Sequence, residues 1–112
     1  MSKFFIEQET TKISFPDGEW ADIKSEFTQE DLDFITNAMM TAKFDGKVPE
    51  VSMSFGKQAT LERAIISWSF KDGDKPIPIT PENISNLRSK YRWMLLKEID
   101  RINKESGEFL KN

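Results

Sequence analysis

The stretch Ser67–Leu87, SWSFKDGDKPIPITPENISNL, limits what this chain can fold into more than any other segment. Pro76 and Pro78 remove two amide donors and hold the preceding residues extended, so no helix can run through them. Upstream, Leu61, Ala64, Ile65 and Trp68 recur at i, i+3, i+4 and i+7, which predicts a helix over about 57–70. Asp72–Gly73–Asp74 would stop that helix, because Gly73 tolerates the left-handed conformation found at helix ends. Downstream, Thr80 is a capping residue with Pro81 at the first helical position and Glu82 behind it. Trp68, Gly73, Pro76, Pro78 and Thr80 therefore read as an architectural joint. It is a stiff crossover that presents Ile77 and Ile79 beside Trp68 and fixes two helices relative to one another.

The rest of the chain is arranged around that joint. Ile84, Leu87, Tyr91, Leu95, Ile99 and Ile102 form the apolar stripe of a long last helix over about 81–105. On its polar side Asp100 and Lys104 are spaced as a favourable i,i+4 pair. Near the N-terminus, Pro16–Asp17–Gly18 is a turn signal between two short alternating runs, which predicts a β-hairpin within residues 3–24. Phe4–Gln8 fits an earlier strand or the start of one long bent strand. Thr28, with Glu30 and Asp31 in the first turn, opens a helix over about 28–43 that Asp45–Gly46 ends. In Lys47–Gly56, Val51, Met53 and Phe55 alternate with serines between Pro49 and Gly56, as a short strand or an ordered connector would. The expected architecture is a single α+β domain over 1–112, an N-terminal β-hairpin packed on a bundle of about three helices.

Composition narrows the chemistry. The chain has no His and no Cys, so the commonest general base, the thiol nucleophile and thiolate metal sites are all missing. Asp72–Gly73–Asp74 resembles part of a calcium loop, but KPIPIT after it lacks the spaced oxygen ligands. Glu30 and Asp31 read as helix N-terminal charge rather than paired catalytic carboxylates. No phosphate-cradling glycine loop and no nucleophile elbow is present. We therefore expect no catalysis, no metal and no cofactor. RSKYRWMLLK (Arg88–Lys97) interleaves cations with aromatics, but the chain's net charge of −3 argues against nucleic acid as a partner. The opening MSKFFIEQET has too short an apolar run for a signal peptide, and no run reaches membrane-spanning length.

What remains is apolar surplus. Phe4, Phe5, Trp20, Met39, Met40, Phe44, Met53, Phe55 and Phe109 exceed what one small core comfortably hides. Such residues at helical spacing usually belong to the core. Left outside, flexible Met side chains make a surface that accommodates varied apolar partners.

At the joint, IISWSFKDGDKPIPITPENISNL followed by LRSKYRWMLLKEI resembles the tail assembly chaperones of long-tailed bacteriophages. The N-terminal ISFPDGEWADIKSEFTQEDLDFI is similar to their opening β-turn-β segment and capped helix, while Lys47–Gly56 departs from the pattern. The resemblance implies a small non-catalytic protein of the host cytoplasm. It would coat the helix-rich tape-measure protein before tail-tube subunits polymerise, with the tube protein as a further partner and self-association as a means of coverage. The ending ESGEFLKN would make this chain the short form of a frameshifted pair. On that reading we expect a partner groove between the 28–43 helix and the last helix, with Met39, Met40, Phe44 and Trp93 as walls. A structural virion component, such as a head–tail connector or minor tail protein, is the alternative, and a small regulator docking on a host factor is a third.

Overall fold

The computed structural model describes Phe4, residues 9–46 and residues 48–107, with side chains described as far as Asn103. Most of the expected Phe4–Gln8 strand, Phe5, Phe109 and the Lys104 side chain of the i,i+4 pair lie outside the described residues. The fold is α+β.

Two strands, β1 (Thr10–Ser14) and β2 (Trp20–Lys24), form the expected antiparallel hairpin, with Ile13 opposite Ala21 and Ser14 opposite Trp20. Its turn is set by local hydrogen bonding. The Gly18 amide donates to the Phe15 carbonyl at 3.0 Å, the Glu19 amide donates to Asp17 Oδ1 at 3.0 Å, and Gly18 sits at φ 90°. Alternation places Ala21 and Ile23, both fully buried, on the core face of β2.

Helix α1 (Gln29–Phe44) starts at Thr28 with a complete capping box. The Asp31 amide donates to Thr28 Oγ1, and the Thr28 amide donates back to Asp31 Oδ2. The next helix corrects the sequence reading twice. Helix α2 spans Pro49–Ala64, so the expected strand or connector is its first half, and it ends six residues before Phe70. Ile65–Trp68 is instead a strand, β3, paired antiparallel with β2. The β-branched pair Ile65–Ile66 favours the extended form, and Ser67 Oγ donates to Asp22 Oδ2 at 3.0 Å across the new strand pair. The register slips between Asp22 and Ile23, leaving exposed Ile66 as the extra residue of a bulge. The sheet order is β1-β2-β3, with the predicted hairpin extended by one strand.

Gly73 does not stop a helix. It begins the two-residue turn of a second small hairpin, β4 (Lys71–Asp72) with β5 (Lys75–Pro76), and has φ 63°. Positive φ at the first turn position alone matches the type II′ turns that suit hairpins. Beyond it, Thr80 caps α3 (Pro81–Ser85) by accepting from the Asn83 amide at 3.1 Å. The single long last helix is in fact two. After α3 the chain breaks at Asn86–Arg88 and resumes as α4 (Ser89–Gly107). Both carry the predicted stripe inward: Ile84, Leu95, Ile99 and Ile102 are buried, and Leu87 and Tyr91 pack against them.

The core joins this stripe to Ile13, Phe15, Ala21, Ile23 and Phe27, with Leu61, Ala64 and Ile65 between. Burying each of the larger aliphatic side chains contributes roughly 1.5–3 kcal/mol. At the joint, an aromatic group gathers Phe15, Trp68, Phe70 and Tyr91, with ring centres 4.9 to 5.9 Å apart. Trp68 Nε1 donates to the Ile77 carbonyl at 2.7 Å, and Asn83 Nδ2 donates to the Pro78 carbonyl at 2.8 Å. The Tyr91 hydroxyl donates to Asp17, fastening the first turn to α4 and holding the Asp17 carboxyl below its ordinary range.

Candidate functional site

Helices α1 and α2 form an antiparallel helical hairpin. On α1 the seam runs through Asp31, Ile35, Ala38 and Ala42, and on α2 through Ser52, Gly56, Ala59 and Arg63. Small residues let the two backbones approach. A Cβ on Gly56 would lie 2.7 Å from Met39 Cγ, and Ser52 Oγ donates to the Met39 carbonyl at 2.9 Å. Away from these contacts the hairpin leaves many of its large apolar side chains exposed. Among the described residues, nine of the twelve exposed large apolar side chains lie between Leu32 and Phe55.

That distribution decides the question of the apolar surplus. Core is not the fate of Phe4, Met39, Met40, Phe44, Met53 or Phe55, all of which are exposed. Trp20 is half-buried with Lys12 Nζ 4.4 Å above its ring.

Two grooves flank the hairpin. One, of about 430 Å³, has Ala38, Thr41 and Ala42 as its floor and Phe34 and Phe55 as walls. The other, of about 560 Å³, lies between α1, α2 and α4 and is walled by Leu32, Ile35, Thr60, Leu96 and Ile99. A groove between the first and last helices therefore exists, but the four expected wall residues do not line it. Met39 packs on Gly56, while Met40 and Phe44 face solvent at 39% and 80% exposure. Trp93 stands on the outer side of α4, 62% exposed, with Lys97 Nζ 5.0 Å from its ring centre. The four walls differ because α2, expected over 57–70, begins at Pro49 and packs along α1 where the last helix was expected.

One feature escaped the sequence reading altogether. Asp31 is fully buried and takes part in more than capping. Lys24 Nζ reaches its two oxygens at 2.9 and 3.0 Å, and Arg63 Nε reaches Oδ1 at 2.8 Å. Burial by itself would push this carboxyl up, but bonds from Lys24, the Thr28 amide and Arg63 outweigh it and hold the pKa at about 2. β2, α1 and α2 thus meet at one carboxylate. Arg63 also lies over the Phe34 ring at 5.1 Å, so the same cluster steadies one groove wall. Sequence spacing gave a weak hint, a capping aspartate followed by an arginine at a seam position of the next helix. It was invisible while α2 was placed too late.

The charges of this cluster are spent on one another. Among the described residues no group of three or more Asp, Glu, His or Cys side chains is placed to hold a metal, and no helix is long and apolar enough to cross a membrane. Elemental analysis of protein purified without chelator is expected to find no stoichiometric zinc or calcium, and one equivalent of either would contradict this. Comparison with family models, curated proteins and solved structures finds no match for the chain.

Proposed function

We propose that this protein is a non-catalytic assembly chaperone of the phage-tail type, which covers apolar faces of a helical tape-measure protein in the host cytoplasm before the tail tube forms. The observation that carries the reading is the concentration of exposed apolar side chains on the α1–α2 hairpin, beside grooves of about 430 and 560 Å³. An amphipathic helix lays its stripe into such a groove through residues one turn apart, and the exposed Met40 and Met53 on the same hairpin adapt to stripes of differing shape. The resemblance around Trp68–Leu87 and the N-terminal hairpin supports the same assignment. One helix buries little area, so affinity per site is modest and coverage comes from many copies. The tail-tube protein is the natural second partner on this reading.

The test is co-expression with the candidate tape-measure protein, scored by the fraction of the latter that remains soluble. That fraction should rise several-fold with this protein and fall back with Met40→Asp or Phe55→Asp, exposed positions where a charge leaves folding intact but spoils apolar contact. An unchanged fraction would sink the reading. Stoichiometric retention in purified particles would favour a structural virion component instead.

A further inference from the structure

We infer that the groove on the Phe34–Phe55 side of the hairpin receives a basic amphipathic helix. The inference rests on the reading of the chain as a helix-binding module and names the partner's charge and seat. Three observations support it. The groove runs along α1 from Phe34 to Asp45, eleven residues or about 16 Å, which suits a helix of three turns rather than a compact ligand. Its walls are prepared in advance, since Phe34 lies under the Arg63 guanidinium, itself fastened to buried Asp31 at 2.8 Å. A carboxylate stands at each end. Asp45 closes one end, and Glu30, with an 85% exposed side chain, stands one turn beyond Phe34 at the other.

Among the described residues no lysine offsets these carboxylates. Lys57 lines the opposite groove, and Lys43 is turned away from Ala38 and Thr41 by helical phase. Arg63 contacts Glu30 only at 3.9 Å and is committed to Asp31. A partner with apolar side chains for the Ala38–Ala42 floor and Lys or Arg at both ends meets complementary charge. One with acidic flanks is repelled.

The 112-residue chain, labelled with ¹⁵N, would be titrated with two synthetic helical peptides about five turns long. Both would carry the same Leu stripe, with Lys at the polar positions of one and Glu at those of the other. The Lys peptide is expected to bind on the order of tenfold more tightly at low salt, to shift the Ala38, Thr41 and Phe55 amides, and to lose its advantage as salt rises. Glu30→Lys combined with Asp45→Lys should invert the preference, and Phe55→Ala should weaken both peptides while leaving the circular dichroism unchanged. Equal affinities, no effect of the double reversal, shifts confined to Leu32 and Leu96, or a second copy of the chain filling the groove would each overturn the inference. A protein that solubilises its helical partner in co-expression yet shows no charge preference loses this inference alone. One that does neither loses the functional reading as well.

Discussion

Asp31→Ala should lower the unfolding free energy by about 3–5 kcal/mol, the usual cost of removing one member of a buried ion cluster. Lys24 is then left with positive charge and no carboxylate beside it, and Arg63 keeps only the 3.9 Å contact to Glu30, their side chains only 17% and 29% exposed. The α1 capping box goes with the same side chain. Asp31→Asn keeps the shape and part of the cap but loses the charge, so its deficit should be smaller and should depend on pH. The folded carboxyl titrates at about 2, below its ordinary value of 3.8. Its ionisation therefore adds stability above pH 4, and that stability is lost as pH falls toward 2. The amount is about 2 kcal/mol. Urea melts of both proteins across this range should show the gap between them closing on acidification. A gap that stays constant, or an Asp31→Ala loss below about 1 kcal/mol, would remove Asp31 from the centre of this account.

Trp68→Ala should cost a comparable amount, about 3–5 kcal/mol. Trp68 lies opposite Ala21 in the β2–β3 pair, its ring centre is 5.2 Å from that of Phe70, and its indole N–H donates to the Ile77 carbonyl. Alanine removes the ring, empties one side of the aromatic group and leaves that carbonyl without its donor. Pro78→Ala should cost less than about 1 kcal/mol, because Pro78 is exposed and its carbonyl still accepts from Asn83. Denaturant melts of the pair separate the two roles. A neutral Trp68→Ala would mean that the joint is held elsewhere.

The features legible in the sequence were those fixed by local chemistry. Pro16–Asp17–Gly18, the Thr28–Asp31 box and Thr80–Pro81 each need only a few adjacent residues, and each lies where its turn or cap was expected. The misread segments depend on tertiary context. Val51, Met53 and Phe55 alternate as a strand would, yet they sit on a helix whose partner-facing position is Gly56. Without α1 alongside, that glycine looks like a terminator. Leu61, Ala64, Ile65 and Trp68 have helical spacing, but only Leu61 and Ala64 are helical. Ile65 and Trp68 pack inward from a strand that continues the same path. The break at Asn86–Arg88 carries neither Gly nor Pro, and the apolar stripe keeps its phase across it. Of the candidate site, exposed methionines and phenylalanines were legible as surplus. Which of them share a groove was not, because that depends on which helix lies next to α1.

Helix α2 passes into β3 without a loop, Ile65 being at once the residue that caps the helix and the first of the strand. A loop at that point would let the hairpin swing freely, whereas a helix running directly into a strand gives a torsion on the hairpin a short covalent path into the sheet. A displacement of α2 would therefore reach the β2–β3 ladder first at Ile65, beside the bulge that Ile66 makes opposite Asp22 and Ile23. Occupancy of a distant groove would then be written into the amide exchange of the central strand, giving the small sheet the character of a strain gauge for the helices mounted on it.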